Sequence, residues 1–390
     1  MVHRASLGHY DGPAGTYVAR ASEPARIAIP GRGGRQRSVR CRTTVKVRGP
    51  PPSIVLGMDE LLARRIEGWS RSTGFSGVIR VDDADGVRYE AAFGLADRRF
   101  GVPNECSTRF AIASGMKGIT ALTTMSLVVD GCLDLSTRVR QLLGDDLPEV
   151  ADEVTIEHLL AHRSGIGDYL DESAGDITDY PMPVPVHRLD TTEDYLPVLE
   201  GHPQVFAPGE GFAYNNGGYV VLALACERVT GLGFPELVRS AVLEPAGMEL
   251  TALLRSDALP DDAATGYLEQ DGLRTNVLHL PIQGGGDGGI YTTVGDIRRL
   301  WTSMFAGRIL PMSTIEEMTR VRSTAEDGAE YGLGFWLDSS AGAVRLEGHD
   351  AGVSFASCHH PESELTHTIV SNWSEGAWEP ARRVRSLLHP

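Results

Sequence analysis

The residues with the clearest chemical potential are Ser114 and Lys117, in the run Phe110-Ala111-Ile112-Ala113-Ser114-Gly115-Met116-Lys117. A serine hydroxyl is a poor nucleophile until a neighbouring base takes its proton, and a lysine can be that base only as the neutral amine. On a helix, positions three apart share a face with Cβ atoms roughly 5–6 Å apart, so the lysine stem can bring its amine to the hydroxyl. Left at its ordinary pKa of about 10.4, that amine costs roughly 4–5 kcal/mol to deprotonate at pH 7. Burial among Phe110, Ile112, Met116 and Ile119 is the means of lowering the cost toward a working value of about 7–8. The start of a helix adds partial positive charge and free N–H groups beside the serine oxygen, which suits a site where an oxyanion develops.

Ser-x-x-Lys alone is a weak signal, because a helix N-cap followed by a solvated lysine has the same letters. Composition strengthens it. Of 36 basic residues only two are lysine, Lys46 and Lys117, so surface cations are supplied by arginine. Arginine does not release its proton in a protein and lysine can. A lone lysine in the body of the chain is better explained by a need to deprotonate.

Further along come Phe212-Ala213-Tyr214-Asn215-Asn216-Gly217-Gly218-Tyr219 and Glu347-Gly348-His349-Asp350-Ala351-Gly352. With Ser114-x-x-Lys117, and in this order and spacing, they resemble the serine β-lactamase and penicillin-binding-protein family, in particular class C β-lactamases, D-aminopeptidases and related esterases. The resemblance runs over about residues 60–388 and takes in Thr155 to Gly165 and Gly288 to Asp296. It implies that Ser114 is acylated, that Lys117 takes its proton, that Tyr214 shares the proton traffic to the leaving group, and that Asn216 holds the substrate's amide or ester. Tyr214 is preferred over Tyr219 only through the family's spacing; either ring could be ordinary packing. A phenol beside an ammonium can be driven toward phenolate.

The third element resembles the family's Lys-Thr-Gly or His-x-Gly strand. By that resemblance His349 lines the site opposite Ser114, and the N–H groups of Gly352 and Ser114 form an oxyanion hole. Ala351 stands where the family usually has glycine, so either the pocket is tighter or the register is shifted. Histidine in place of lysine leaves less fixed positive charge for a substrate carboxylate, which shifts weight from authentic β-lactamase toward esterase, amidase or D-amino-acid peptidase.

The elements that position these residues follow from periodicity. A helical pattern starts near Met58, then Gly77 to Val81 and Arg88 to Phe93 alternate around Asp82-Asp83-Ala84-Asp85-Gly86, a hairpin signal. Ser114 to Arg239 reads as helical, with Pro- and Gly-rich loops. From Gly288 the reading is a helix over Val294 to Phe305, strands over Tyr331 to Leu337, Ala343 to Glu347, Val353 to Cys358 and Thr366 to Ser371, and a closing helix over Ala377 to Leu388. The fold class is therefore α+β: an antiparallel sheet flanked by helices and built from both ends of the chain (58–113 and 288–390), plus an inserted, mostly helical domain (114–287) of β-lactamase/transpeptidase type. Residues 1–57, rich in Gly, Pro and Arg, read as a disordered or non-native N-terminal extension. A basic arm, a transit peptide and a true start near Met58 are the alternatives.

Charge narrows the function class. The net charge is -16, and ten of the basic residues but only two acidic ones fall in residues 1–50, which leaves the remainder near -24. So negative a body repels nucleic acid and anionic lipid. The apolar run Phe110 to Val129 is broken by Lys117 and hydroxyls, which indicates a buried helix rather than a membrane span. Five scattered cysteines and no visible secretory signal point to a cytoplasmic protein. His158 and His162 sit four apart but lack the H-E-x-x-H of a zinc site, and Gly284 to Gly289 lacks the Gly-Lys of a phosphate loop. No metal or organic cofactor is implied. The expectation is a serine hydrolase acting on a small ester or amide. A D-stereospecific peptidase or carboxypeptidase with weak β-lactamase activity, and a non-catalytic binding module of the same fold, are the rivals. Oligomeric state is not legible.

Overall fold

The structure, a computed structural model, describes residues 60–170 and 177–388. The expectations for residues 1–57 and for a helix start at Met58 lie outside them.

Eight antiparallel strands form one sheet. In chain order they are β1 (Gly77–Asp83), β2 (Gly86–Phe93), β3 (Ser323–Thr324), β4 (Glu330–Tyr331), β5 (Trp336–Asp338), β6 (Ala343–Asp350), β7 (Val353–His360) and β8 (Leu365–Ser371). Their order across the sheet is β2-β1-β8-β7-β6-β5-β4-β3. The two ends of the chain meet where β1 pairs with β8, Ile79 opposite Ile369 and Val78 opposite Val370. Because side chains alternate along a strand, Val78 and Val370 enter the core on one face, while Ile79 and Ile369 enter that on the other. Both faces are therefore covered. Helices α1 (Glu60–Thr73) and α6 (Trp378–Leu388) lie over the Ile79 face, and α2 (Met116–Val129) and α5 (Val294–Phe305) lie over the Val78 face.

Helix α2 has 11 buried residues among its 14, with apolar side chains all round, as a helix at the centre of a core must. It holds the stretch that follows Ser114 in a fixed place. Helix α4 (Asn216–Thr230) packs against α2 and is buried over its first 11 residues. Asn215 caps its start, the side chain accepting from the Gly218 N–H at 2.6 Å, and Gly231 ends it with a φ of 73°. Between them, α3 (Ile156–Leu160) starts with a capping box in which Thr155 and His158 exchange side-chain-to-backbone bonds.

The run Tyr331 to Leu337, expected as one strand, is two. Tyr331 pairs with Trp336 across a turn, and Gly334 takes a φ of 92° where a Cβ would come within 2.2 Å of Ala121 Cβ. The apparent alternation hid a hairpin pressed against α2. Among the described residues no helix is long and apolar enough to cross a membrane.

Candidate active site

Ser114 sits in a single 3-10 turn, Ala113–Gly115, that leads directly into α2. Ala113 adopts a φ of 45°, a left-handed conformation that side chains other than glycine rarely take. The turn is wedged against the sheet. A Cβ on Gly115 would come within 2.7 Å of the Phe355 ring, and one on Gly348 within 2.0 Å of the Ile112 carbonyl oxygen. The turn that carries Ser114 and strands β6 and β7 thus approach more closely here than added side chains would permit.

Lys117 is 1% exposed, and its Nζ donates to Ser114 Oγ at 2.8 Å, Asn216 Oδ1 at 2.8 Å and the Asp287 carbonyl at 2.9 Å. Three acceptors match the three hydrogens of an ammonium. Only Ser114 Oγ among them can itself donate a proton. The amine is therefore held by two fixed oxygens and directed at the hydroxyl.

Asn216, the first residue of α4, is anchored in turn by Asp168. The Asp168 carboxylate accepts the Asn216 N–H at 2.7 Å and the Gly217 N–H at 2.8 Å, so it lies across the start of the helix. Burial raises its pKa above the usual carboxylate range, against the pull of those two N–H bonds and of the Lys117 charge. The sequence analysis did not single out Asp168. Nothing in its neighbours announces a residue that holds a helix 48 positions away.

Tyr214 and Tyr219 separate cleanly. The Tyr214 ring centroid lies 4.9 Å from Lys117 Nζ, its ring stacks on Trp336 at 5.8 Å with planes 10° apart, and it lines the same cleft as Ser114. Tyr219 is fully buried, and its hydroxyl donates to the Leu160 carbonyl at 2.8 Å. Burial pushes that phenol well above its ordinary range.

Residues 62–389 match the Beta-lactamase family. The chain belongs to this family. It is 38% identical to Esterase EstB of Burkholderia gladioli over 42% of this chain and 43% of that one. It is 28% identical to a D-aminopeptidase of Brucella anthropi over 80% of this chain and 59% of that protein. It thus spans less than two thirds of the length of either relative. The crystal structure of a penicillin binding protein from Bacillus halodurans superposes with a TM-score of 0.77 at 34% identity, covering 83% of this chain and 99% of that one.

In this β-lactamase family member two pockets meet at Ser114. The wider, about 780 Å³, is lined by Asp168, Tyr214, Trp336, Glu347, His349 and Trp378 among others. The narrower, about 60 Å³, lies between Tyr169, Tyr195, Asn276, Ile282, Tyr291 and Asp350. Among the described residues their lining includes four carboxylates, Asp168, Asp287, Glu347 and Asp350, and no Arg or Lys. Glu347 is paired with Arg345 at 2.9 Å. A third cavity, about 370 Å³ behind α4, contains neither Ser114 nor Lys117.

The third element is placed differently from the sequence reading. Gly352 occupies the β6–β7 turn with a φ of 72°, its N–H donates to Ser374 Oγ at 2.8 Å, and it lines neither pocket at Ser114. Its N–H cannot face an anion at the serine. Ala351 is buried, with its carbonyl accepting from Asn276 Nδ2 at 2.9 Å. The glycine pressed against the turn that carries Ser114 is Gly348, three residues before Ala351. The pairing explains the shift. Asp350 and Val353 flank a two-residue turn, so Asp350, Gly348 and Leu346 direct their backbone groups at β7, and Arg345 directs its own at Trp336 of β5. His349 lies beyond the end of β5, and its N–H and carbonyl point to the open edge of the sheet. Its side chain lines both pockets, with Nε2 at 3.0 Å from Glu375 Oε1 and the ring edge-on to Trp378.

Of the other sequence candidates, His158 belongs to the α3 cap and lines neither pocket at Ser114. Gly284, Gly288 and Gly289 line the narrow pocket.

Proposed function

We propose that this chain is a serine hydrolase that forms an acyl-enzyme at Ser114 with small ester or amide substrates. The observation that carries the reading is the Lys117 amine, sealed from water and 2.8 Å from Ser114 Oγ. In the deprotonated state of Lys117, where Nζ accepts from Ser114 Oγ instead of donating to it, Oγ attacks the substrate carbonyl carbon as its proton passes to Nζ, and the carbonyl oxygen becomes an oxyanion. The N–H of Ser114, in the first turn before α2, and the N–H of His349 on the open strand edge are the donors assigned to that oxygen, in place of Gly352. Collapse breaks the bond to the leaving group, which takes a proton from the Lys117 and Tyr214 pair. Water then attacks the acyl carbon with the same pair as base and releases Ser114.

Incubation with a fluorophosphonate and with p-nitrophenyl esters, followed by intact-mass measurement, tests this. One adduct on the wild-type chain and none on Ser114→Ala is the expected result; a wild-type chain that stays unmodified by both reagents defeats the proposal.

A second reading concerns the substrate. A lining with four carboxylates and, among the described residues, no Arg or Lys disfavours a substrate that presents its own carboxylate, and favours a neutral one or one with a free amine. That suits a D-amino-acid ester, amide or short peptide better than a β-lactam. Comparing D- and L-amino-acid p-nitroanilides with nitrocefin decides it, and preferential turnover of nitrocefin counts against it.

A further inference from the structure

His162 is unlike any other residue around the site. It follows α3 with a φ of 55°, in the left-handed region, although it carries a full side chain. It is 1% exposed. Its carbonyl accepts the Ala213 N–H at 3.0 Å, and its Nδ1 accepts the Asn215 N–H at 3.1 Å. One residue therefore holds the chain on both sides of Tyr214. Its ring stands 4.4 Å from the Tyr214 ring, and Tyr219, Tyr331 and Phe212 close the box at 5.0, 4.8 and 5.9 Å.

Since Nδ1 accepts, the ring hydrogen of the neutral imidazole is on Nε2, and Nε2 is buried without a hydrogen-bond partner. Burial and the nearby Lys117 charge both oppose protonation, so the ring stays neutral. A left-handed backbone and an unpaired buried N–H are two penalties at one position, and stability alone would select against both.

We propose that His162 is a positioning residue for Tyr214. Its carbonyl and Nδ1 clamp the backbone flanking the tyrosine, and its ring is the wall that sets the phenol beside Lys117. The Asn215 bond extends the effect, because Asn215 caps α4 and the next residue, Asn216, holds the Lys117 amine. The role rests on the acyl-transfer reading of Ser114 and Lys117.

The test compares His162→Leu, which fills the box without an acceptor, with His162→Asn, whose Oδ1 can take the Asn215 N–H and whose backbone tolerates the left-handed region. Acylation rates are measured per titratable Ser114, which removes any unfolded fraction. The Leu variant is expected to acylate about 100-fold more slowly with KM within about threefold, and the Asn variant to recover to within about tenfold of wild type. A Leu variant that acylates at the wild-type rate, or an Asn variant as slow as about 100-fold down, overturns the role; if the Leu variant does not fold, the Asn result alone decides. Crystal structures of the variants give a readout that needs no turnover: Tyr214 should leave the Trp336 stack in the Leu variant and keep it in the Asn variant. An undisturbed stack in the Leu variant overturns the positioning claim even if the chain proves to hydrolyse nothing, whereas a silent wild type bears on the hydrolase reading only.

Discussion

Gly348 lies so close to the Ile112 carbonyl oxygen that a Cβ on the glycine would stand 2.0 Å from it. The contact ties strand β6 to the turn that carries Ser114, and it sets how far the open strand edge is from the nucleophile. Because the atom opposite is backbone, no side-chain rotation can relieve an added methyl. Gly348→Ala is expected to lower stability by about 1–3 kcal/mol and to slow acylation by about 100-fold or more as the edge retreats. Urea melts and burst-phase kinetics measure the two effects separately, and an alanine variant of unchanged rate would remove β6 from the site.

Lys117 is expected to be irreplaceable by arginine. Lys117→Arg and Lys117→Ala should each reduce kcat/KM for a p-nitrophenyl ester by about 100- to 10,000-fold, since a guanidinium keeps its proton and a methyl has no lone pair to accept one. Steady-state kinetics on variants with wild-type circular dichroism is the check. Substantial activity in the arginine variant would show that the charge of Lys117 matters, rather than its ability to take a proton.

The acid limit of stability has an identifiable contributor in His359. Buried against Trp301 at 5.6 Å and bonded to Thr366, it has its pKa pushed down to about 3, chiefly by burial and then by Arg298. A histidine depressed in the fold contributes stability that is complete above its unfolded value, near 6.5, and that is lost as pH falls from there toward 3. At pH 4.5 the loss is of order 2–3 kcal/mol, at about 1.36 kcal/mol per unit. His359→Gln should therefore flatten the stability profile between pH 6.5 and 4, measured by urea unfolding at a series of pH values. Parallel profiles for the two proteins would assign the acid sensitivity elsewhere.

Substrate charge should show in the salt dependence. With Asp168, Asp287, Glu347 and Asp350 around the pockets, kcat/KM for a cationic amino-acid ester is expected to fall as ionic strength rises, and that for an isosteric carboxylate-bearing ester to rise. Matched rates at 20 mM and 500 mM salt (about 20 Å and 4 Å of screening length) make the comparison. The opposite pair of slopes would contradict an acidic cleft that selects its substrate.

What the sequence determined by itself is whatever short-range geometry governs. Three residues along a helix turn share a face whatever surrounds them, so the juxtaposition of Ser114 and Lys117 was readable from spacing. Alternation did the same for β1, β2, β7 and β8 as strands; that both faces of the sheet are covered came from the structure. Tertiary structure decided what depends on which distant segments meet. Tyr214 faces the cleft and Tyr219 the core because α3 and Trp336 flank them, not because their neighbours in sequence differ. The backbone of His349, rather than that of Gly352, reaches the open edge because β5 stops at Trp336 and the two-residue turn fixes the parity of β6. Asp168 and His162 owe their importance to α4, which begins about 50 residues later in the chain, and a contact at that separation leaves no periodic trace in the letters. Hydrogen bonds and close approaches of this kind are chosen by the packed core as a whole, and a residue's type limits its possible partners without naming them.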